Sequence, residues 1–220
     1  MSRRVISALK LDFLTARTAL YLGFIFIVAG FGVGIMTKQP MIGMVIIMVF
    51  SVFLAGTVFS SHERSHSERL YGVLPLKKSE MIIGRYLFAT ILGLVGIVFA
   101  GVIGYVDAHI SSTTMNYTEF WAVLGLAYTY FCLAVAISYV VYFKIGFSKA
   151  YIFTMIPMVL VYVGALYLIR RTNMLKDVDS LLKDFANLEV LLFVFGLLLG
   201  WILLVISAIV ANKVYARKEL

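Results

Sequence analysis

Residues 62–86 read HERSHSERLYGVLPLKKSEMIIGRY. This is the longest polar interruption in the first 105 residues, and it lies between two strongly apolar runs. It holds five basic residues, three glutamates and two histidines around a Gly-Val-Leu-Pro turn. Helix-prone residues 61–71 precede that turn. After it, Ser79 stands as the N-cap of a new helix with Glu80 in the first turn. Leu70, Tyr71, Val73, Leu74 and Leu76 are apolar and yet fall outside the apolar runs, ringed by Glu63, Glu68, Arg69, Lys77 and Lys78. An apolar knob with a charged rim has the composition of a protein–protein contact. A loop folded under its own helices is the alternative.

The flanking runs fix the class. The chain of 220 residues is 62% hydrophobic, well above the roughly 45–50% of soluble domains, and a core of this size cannot absorb the excess. The expected class is an all-α membrane protein. About 20 apolar residues cross the hydrocarbon layer, and six segments meet that length: 18–37, 41–61, 82–106, 119–142, 150–169 and 189–211. Together they form a single transmembrane domain over 1–220. No cleavage site of small residues follows the first run, so it is expected to stay as a span rather than act as a cleaved leader.

Residues 2–17 are expected to form a basic amphipathic helix on the membrane surface. Val5, Ile6, Leu9, Phe13 and Ala16 share one face, while Arg3, Lys10 and Arg17 lie on the other. A charged tail that only sets orientation is the simpler reading. Residues 173–188 carry Met174, Val178, Leu181, Leu182, Phe185 and Leu188 on one half of a helical wheel. They are expected to form a short amphipathic helix on the opposite membrane face.

With the N-terminus in the cytoplasm, the lysines and arginines divide fourteen inside to five outside. The positive-inside rule therefore places both termini in the cytoplasm. The formal net charge of +8 is topology rather than a nucleic-acid footprint, and no nucleic-acid motif accompanies it. The lone Cys132 lies in an apolar run and rules out a disulfide framework. No Asp, Glu, Lys or Arg is expected deep within a span, which argues against a channel or proton pump and suits a conduit for apolar cargo. The inward polar groups are mild: Ser51, Thr57, Thr90, Thr129, Ser138, Thr154 and Ser207. Pro157 is expected to kink the fifth span. Gly30-x-x-x-Gly34 and Gly196-x-x-x-Gly200 are small-residue pairs, expected to serve packing within the chain ahead of a subunit contact.

His62-Glu63-Arg64-Ser65-His66 also matches the HExxH pattern, in which two imidazoles one turn apart hold zinc and the glutamate polarises a water. A third ligand is hard to supply. His109 and Glu119 are assigned to the other face, Glu68 is too close in sequence, and Glu80 lies beyond the Gly-Pro break. Arg64 would bring a cation to the metal. Solvated histidines at a helix end are the favoured reading.

The same stretch resembles the signature of ABC-2 type permeases. The resemblance rests on Phe59-x-x-x-Glu63, Glu68-Arg69-Leu70-Tyr71, Leu74-Pro75-Leu76-x-Lys78-x-Glu80-x-Ile82 and Gly84-Arg85-Tyr86. Ala8 to Leu14 resembles the family's opening segment, and the six-span plan agrees. Lys78 stands where arginine is common, and His62 and His66 are not part of the pattern. The resemblance is strongest to small bacterial permeases that export peptides of the phenol-soluble-modulin and bacteriocin type. It implies a type V exporter fold in the cell membrane, with an N-terminal elbow helix and a coupling segment over 62–80. Glu63, Glu68, Arg69, Leu70, Tyr71, Leu74, Pro75 and Leu76 would dock in an ATP-binding subunit, and the link over 143–149 would make a smaller contact. It further implies a dimer with a second copy or a related permease, and a hydrophobic or amphipathic peptide as cargo. The sequence has no GxxxxGK[ST] loop, so ATP and Mg²⁺ would belong to a partner chain and this chain would hold no cofactor and no catalytic residue. A zinc membrane protease, or a polytopic accessory protein without an ATPase, remains as the alternative.

Overall fold

The computed structural model describes residues 3–64, 78–111, 117–150 and 188–216. Five long helices fill these residues: α1 (Arg3–Thr37), α2 (Pro40–Arg64), α3 (Lys78–Ile110), α4 (Tyr117–Ile145) and α5 (Leu188–Ala216). Each contains a stretch long and apolar enough to cross a membrane. The expected spans 18–37, 41–61, 82–106, 119–142 and 189–211 coincide with them. The span expected over 150–169, with Pro157, and the amphipathic helix over 173–188 fall almost entirely outside the described residues.

Helix α2 is the centre of the bundle. It runs antiparallel to α1, with Phe26 stacked on Phe50 at 4.0 Å between ring centroids, and antiparallel to α3. On its other side it lies parallel to α4. Helix α5 packs along α4 in the same direction, since Gly125 faces Gly196, Cys132 faces Gly200 and Phe143 faces Tyr215. The chain therefore leaves α4 at one end of the bundle and enters α5 at the other. The ends meeting at Arg3, Arg64, Lys78, Ile145 and Ala216 are here called the Glu63 end; the α1–α2 turn marks the Lys38 end.

Residues 2–17 and 18–37 were expected as two elements, and the structure joins them: α1 is one helix of 35 residues. No glycine or proline interrupts the chain before Gly23. The first half is held on α3, where Ala8 fills the space beside Gly84 and Phe13 meets Phe88 edge-on at 4.9 Å. Its buried row is Val5, Ala8, Asp12 and Ala16, whereas Ile6, expected on the apolar face, is 40% exposed.

The second difference concerns α3. The expected span stopped at residue 106, with Asp107 opening a polar loop. The helix instead continues to Ile110, and Asp107 has no exposed surface. Arg85, counted among the cytoplasmic-side charges at the start of the third span, is likewise buried within α3. The 22 positions between them correspond to about 33 Å of helix, close to the roughly 30 Å of a hydrocarbon layer. The two charges therefore sit at opposite edges, and the middle of α3 has none.

The small-residue pairs serve packing within the chain. A Cβ on Gly196 would lie 2.7 Å from the Gly125 carbonyl oxygen, and one on Gly30 would lie 3.1 Å from that of Gly43. The backbones are in contact at both crossings, as small residues permit. Thr129 completes the α4–α5 crossing by donating to the Gly125 and Gly196 carbonyls at 2.9 and 3.0 Å. Gly196→Val is expected to lower stability by about 1–3 kcal/mol through overpacking. Gly32→Val, at a position open to a side chain, should change it little. Unfolding midpoints in detergent compare the two, and equal midpoints would refute the contact.

Candidate functional site

The mild polar residues mostly satisfy their own helix. Ser51, Thr57 and Thr90 donate to carbonyls three or four residues back, so they neither open a polar path nor leave a donor unmet. The polar contacts that join helices gather toward the Glu63 end.

The first of these is a clasp between two connecting segments. Gly146 ends α4 in the left-handed region, with φ 85°, and its N–H donates to the Tyr142 carbonyl at 2.9 Å. The chain turns into a new helical turn at Phe147, where Ala150 N–H donates to the Gly146 carbonyl at 3.2 Å. The first N–H groups of a helix lack partners within it. Glu63, exposed on the last turn of α2, supplies one: its Oε2 accepts the Ser148 N–H at 2.9 Å. A side chain on Gly146 would enter van der Waals contact with the same carboxylate. Below the clasp, Tyr142 packs against both Phe59 and Phe147 at 5.0 Å.

One turn deeper, Arg85 lies among aromatic rings. Its guanidinium carbon is 4.3 Å from the centroid of Phe59 and 5.4 Å from that of Phe143. Desolvated stacking of this kind contributes about 2 kcal/mol. Nε and Nη2 make no hydrogen bond. Asp12 of α1 is only 3% exposed, and burial pushes its carboxyl up to about 6, against the pull of the Arg85 cation. Next to Arg85, Tyr86 reaches Ser207 of α5 at 2.6 Å, and Ser207 donates to the Ala136 carbonyl of α4 at 2.6 Å. Tyr139 donates to the Ala55 carbonyl of α2 at 3.0 Å and meets Phe59 and Tyr86 edge-on. All five helices thus converge on one layer.

Midway along the bundle a cavity of about 230 Å³ opens between α1, α2 and α3. Phe24, Phe26, Phe50 and Phe99 line it, and the Ser51 hydroxyl on its wall is already bonded to Ile47.

Of the residues expected to dock on a partner, Glu63 is described and takes part in the clasp. Glu68, Arg69, Leu70, Tyr71, Leu74, Pro75 and Leu76 lie outside the described residues, as does His66. His109 is exposed at the Lys38 end, edge-on to Tyr105 at 4.6 Å. Among the described residues no three His, Cys, Asp or Glu side chains gather as a metal site. Sequence reasoning missed Asp12, Ser148 and the burial of Arg85. The available signal was the two charges themselves: Asp12 and Arg85 each stand within a run whose neighbours are mostly apolar.

Five apolar helices, with their interhelical polar contacts concentrated toward one end, define a multi-pass membrane protein. The chain belongs to the ABC-2 family of transporter proteins, whose family model matches residues 9–216. It is accordingly a permease subunit of an ABC transporter, in a family that typically pairs with an ATP-binding subunit. Searches of curated proteins and of solved structures return no match.

Proposed function

We propose that this permease is the membrane half of an ATP-driven exporter, working as a dimer in a bacterial plasma membrane with separate ATP-binding chains. Its cargo is a hydrophobic or amphipathic peptide, moved outward by alternating access. The Glu63 end faces the cytoplasm, in keeping with the excess of lysine and arginine in the segments that meet there.

The Glu63–Ser148 clasp carries the reading. The two connections expected to touch an ATPase, after α2 and after α4, are tied to each other. Force applied to either reaches both. The Arg85 layer directly beneath connects α2 and α4 to α1, α3 and α5. The phenylalanine-lined cavity at mid-depth supports an apolar cargo. The Glu63 carboxylate already accepts a backbone N–H, which favours a mechanical role over that of a water-polarising base. The chain supplies no cofactor site in this scheme; ATP and Mg²⁺ act on the partner.

The test is coexpression with the ATP-binding chains of the same genome. A stable complex is expected, with ATPase turnover that responds to amphipathic peptide. Failure of every such chain to copurify would remove the exporter reading, and stoichiometric zinc with peptide cleavage lost in Glu63→Gln would install the protease.

A further inference from the structure

Asp107 lies in the last turn of α3 with no exposed surface. Both carboxylate oxygens are buried and without a hydrogen-bond partner. Two of its neighbours are glycines. A Cβ on Gly34 of α1 would overlap Oδ2, and one on Gly43 of α2 would stand 3.3 Å from the same oxygen. The α1 and α2 backbones touch beside it, since a Cβ on Gly43 would also be 2.7 Å from the Gly30 carbonyl oxygen. Two glycines therefore make the room that this carboxyl fills.

From α1 and α2 the faces presented to it carry no titratable group. Among the described residues, the charged groups near this end are Lys38 in the α1–α2 turn, His109 on α3 and Glu119 in the first turn of α4; Arg170, Arg171, Lys176, Asp177, Lys183 and Asp184 lie outside the described residues. Lys38 and His109 are exposed, and none of the three hydrogen-bonds to Asp107. An ionised carboxylate with no exposed surface and no hydrogen-bond partner is far more costly than the neutral acid. On the sides that face Gly34 and Gly43 the carboxylate meets backbone rather than a cation. The ligand that fits is a proton.

We propose that Asp107 is a proton-binding site at the Lys38 end of the bundle, where uptake of the proton and closure of α1, α2 and α3 on one another are a single event. Ionisation requires water at the carboxylate, and water reaches it only when its neighbours separate. Acid pH closes this corner and alkaline pH loosens it. The inference depends on neither the cargo nor the ATPase.

Thermal unfolding of the full chain in detergent, compared with Asp107→Asn from pH 5 to pH 8, tests it. Asparagine has the shape of the acid and stays neutral. The variant's midpoint should lie above the parent's by the least at pH 5, and the gap should widen by roughly 4 °C by pH 8. Any pH dependence from Asp12 is common to both proteins and drops out of the difference. A gap independent of pH would overturn the proposal. Should Asp107→Asn fail to fold, amide hydrogen exchange of the unaltered protein in detergent takes its place. Exchange around Gly34, Gly43 and Asp107 that is several-fold faster at pH 8 than at pH 5, after the intrinsic pH dependence of exchange is divided out, supports the site, and no excess refutes it.

Discussion

Arg85→Ala is expected to cost about 2–3 kcal/mol of stability, starting from the roughly 2 kcal/mol of a desolvated cation–π contact. The loss has two sources. Asp12 keeps its place in the α1–α3 contact, 3% exposed, without the cation that offsets its burial. The guanidinium plate between Phe59 and Phe143 also disappears. The pH dependence separates them. Asp12 has a folded-state value of about 6 against 3.8 when solvated, so the folded protein holds the proton more tightly than the unfolded chain. Its burial therefore lowers stability progressively as pH rises from about 4 through 6. Without Arg85 the penalty extends to higher pH, so the variant should be least stable in alkali and recover in acid. Adding Asp12→Asn should restore the electrostatic part and leave the loss of stacking. Arg85→Lys should fall between, because a lysine keeps the charge but not the plate. Unfolding in micelles across pH 5–8 reads all four proteins. If Arg85→Ala matches the parent at pH 8, the pair contributes nothing.

That layer also marks the limit of what hydropathy conveys. The five described spans follow from run length, because an apolar stretch of 20 residues has few other fates. Their ends were less legible. A charged residue at the edge of an apolar run reads the same whether it faces water or packs inward. Asp107 reads as a boundary marker and Arg85 as a charge just inside the start of a span, and both are buried. What distinguishes them is on other helices: Phe59 and Asp12 around the first, Gly34 and Gly43 around the second. Spacing along one helix cannot report a neighbour brought close by packing. The small-residue pairs were easier, since glycine at a four-residue interval has a direct meaning for helix approach, and Gly30 and Gly196 act as read. The break expected in α1 failed for a related reason. Amphipathic pattern shows that residues 2–17 need an apolar partner, but not that α3 would provide it. The clasp was half legible: the position of Glu63 was singled out, but its partner Ser148 lies 85 residues further along.

Glu63→Ala is expected to lower transport-coupled ATPase activity by about fivefold while leaving the unfolding midpoint almost unchanged. The reasoning starts from the size of the interaction. An exposed carboxylate that accepts one N–H at the start of a helix contributes about 1 kcal/mol, close to fivefold in an equilibrium. It joins two connecting segments rather than two buried faces, so the core of the bundle does not depend on it. The tie matters when one segment is displaced and the other must follow. With alanine, a push on the α2 connection is no longer delivered to the turn after Gly146, and the two move independently. Glu63→Gln retains an acceptor for the Ser148 N–H and should keep most of the coupling, which separates loss of the tie from loss of charge. Gly146→Ala attacks the same joint from the other side, because φ 85° is strained for any residue with a Cβ, and it should mimic Glu63→Ala. Equal coupling in Glu63→Ala and the parent would show that the two segments act separately. Parallel loss of coupling and stability would make Glu63 a structural cap and leave force transmission to the Arg85 layer alone.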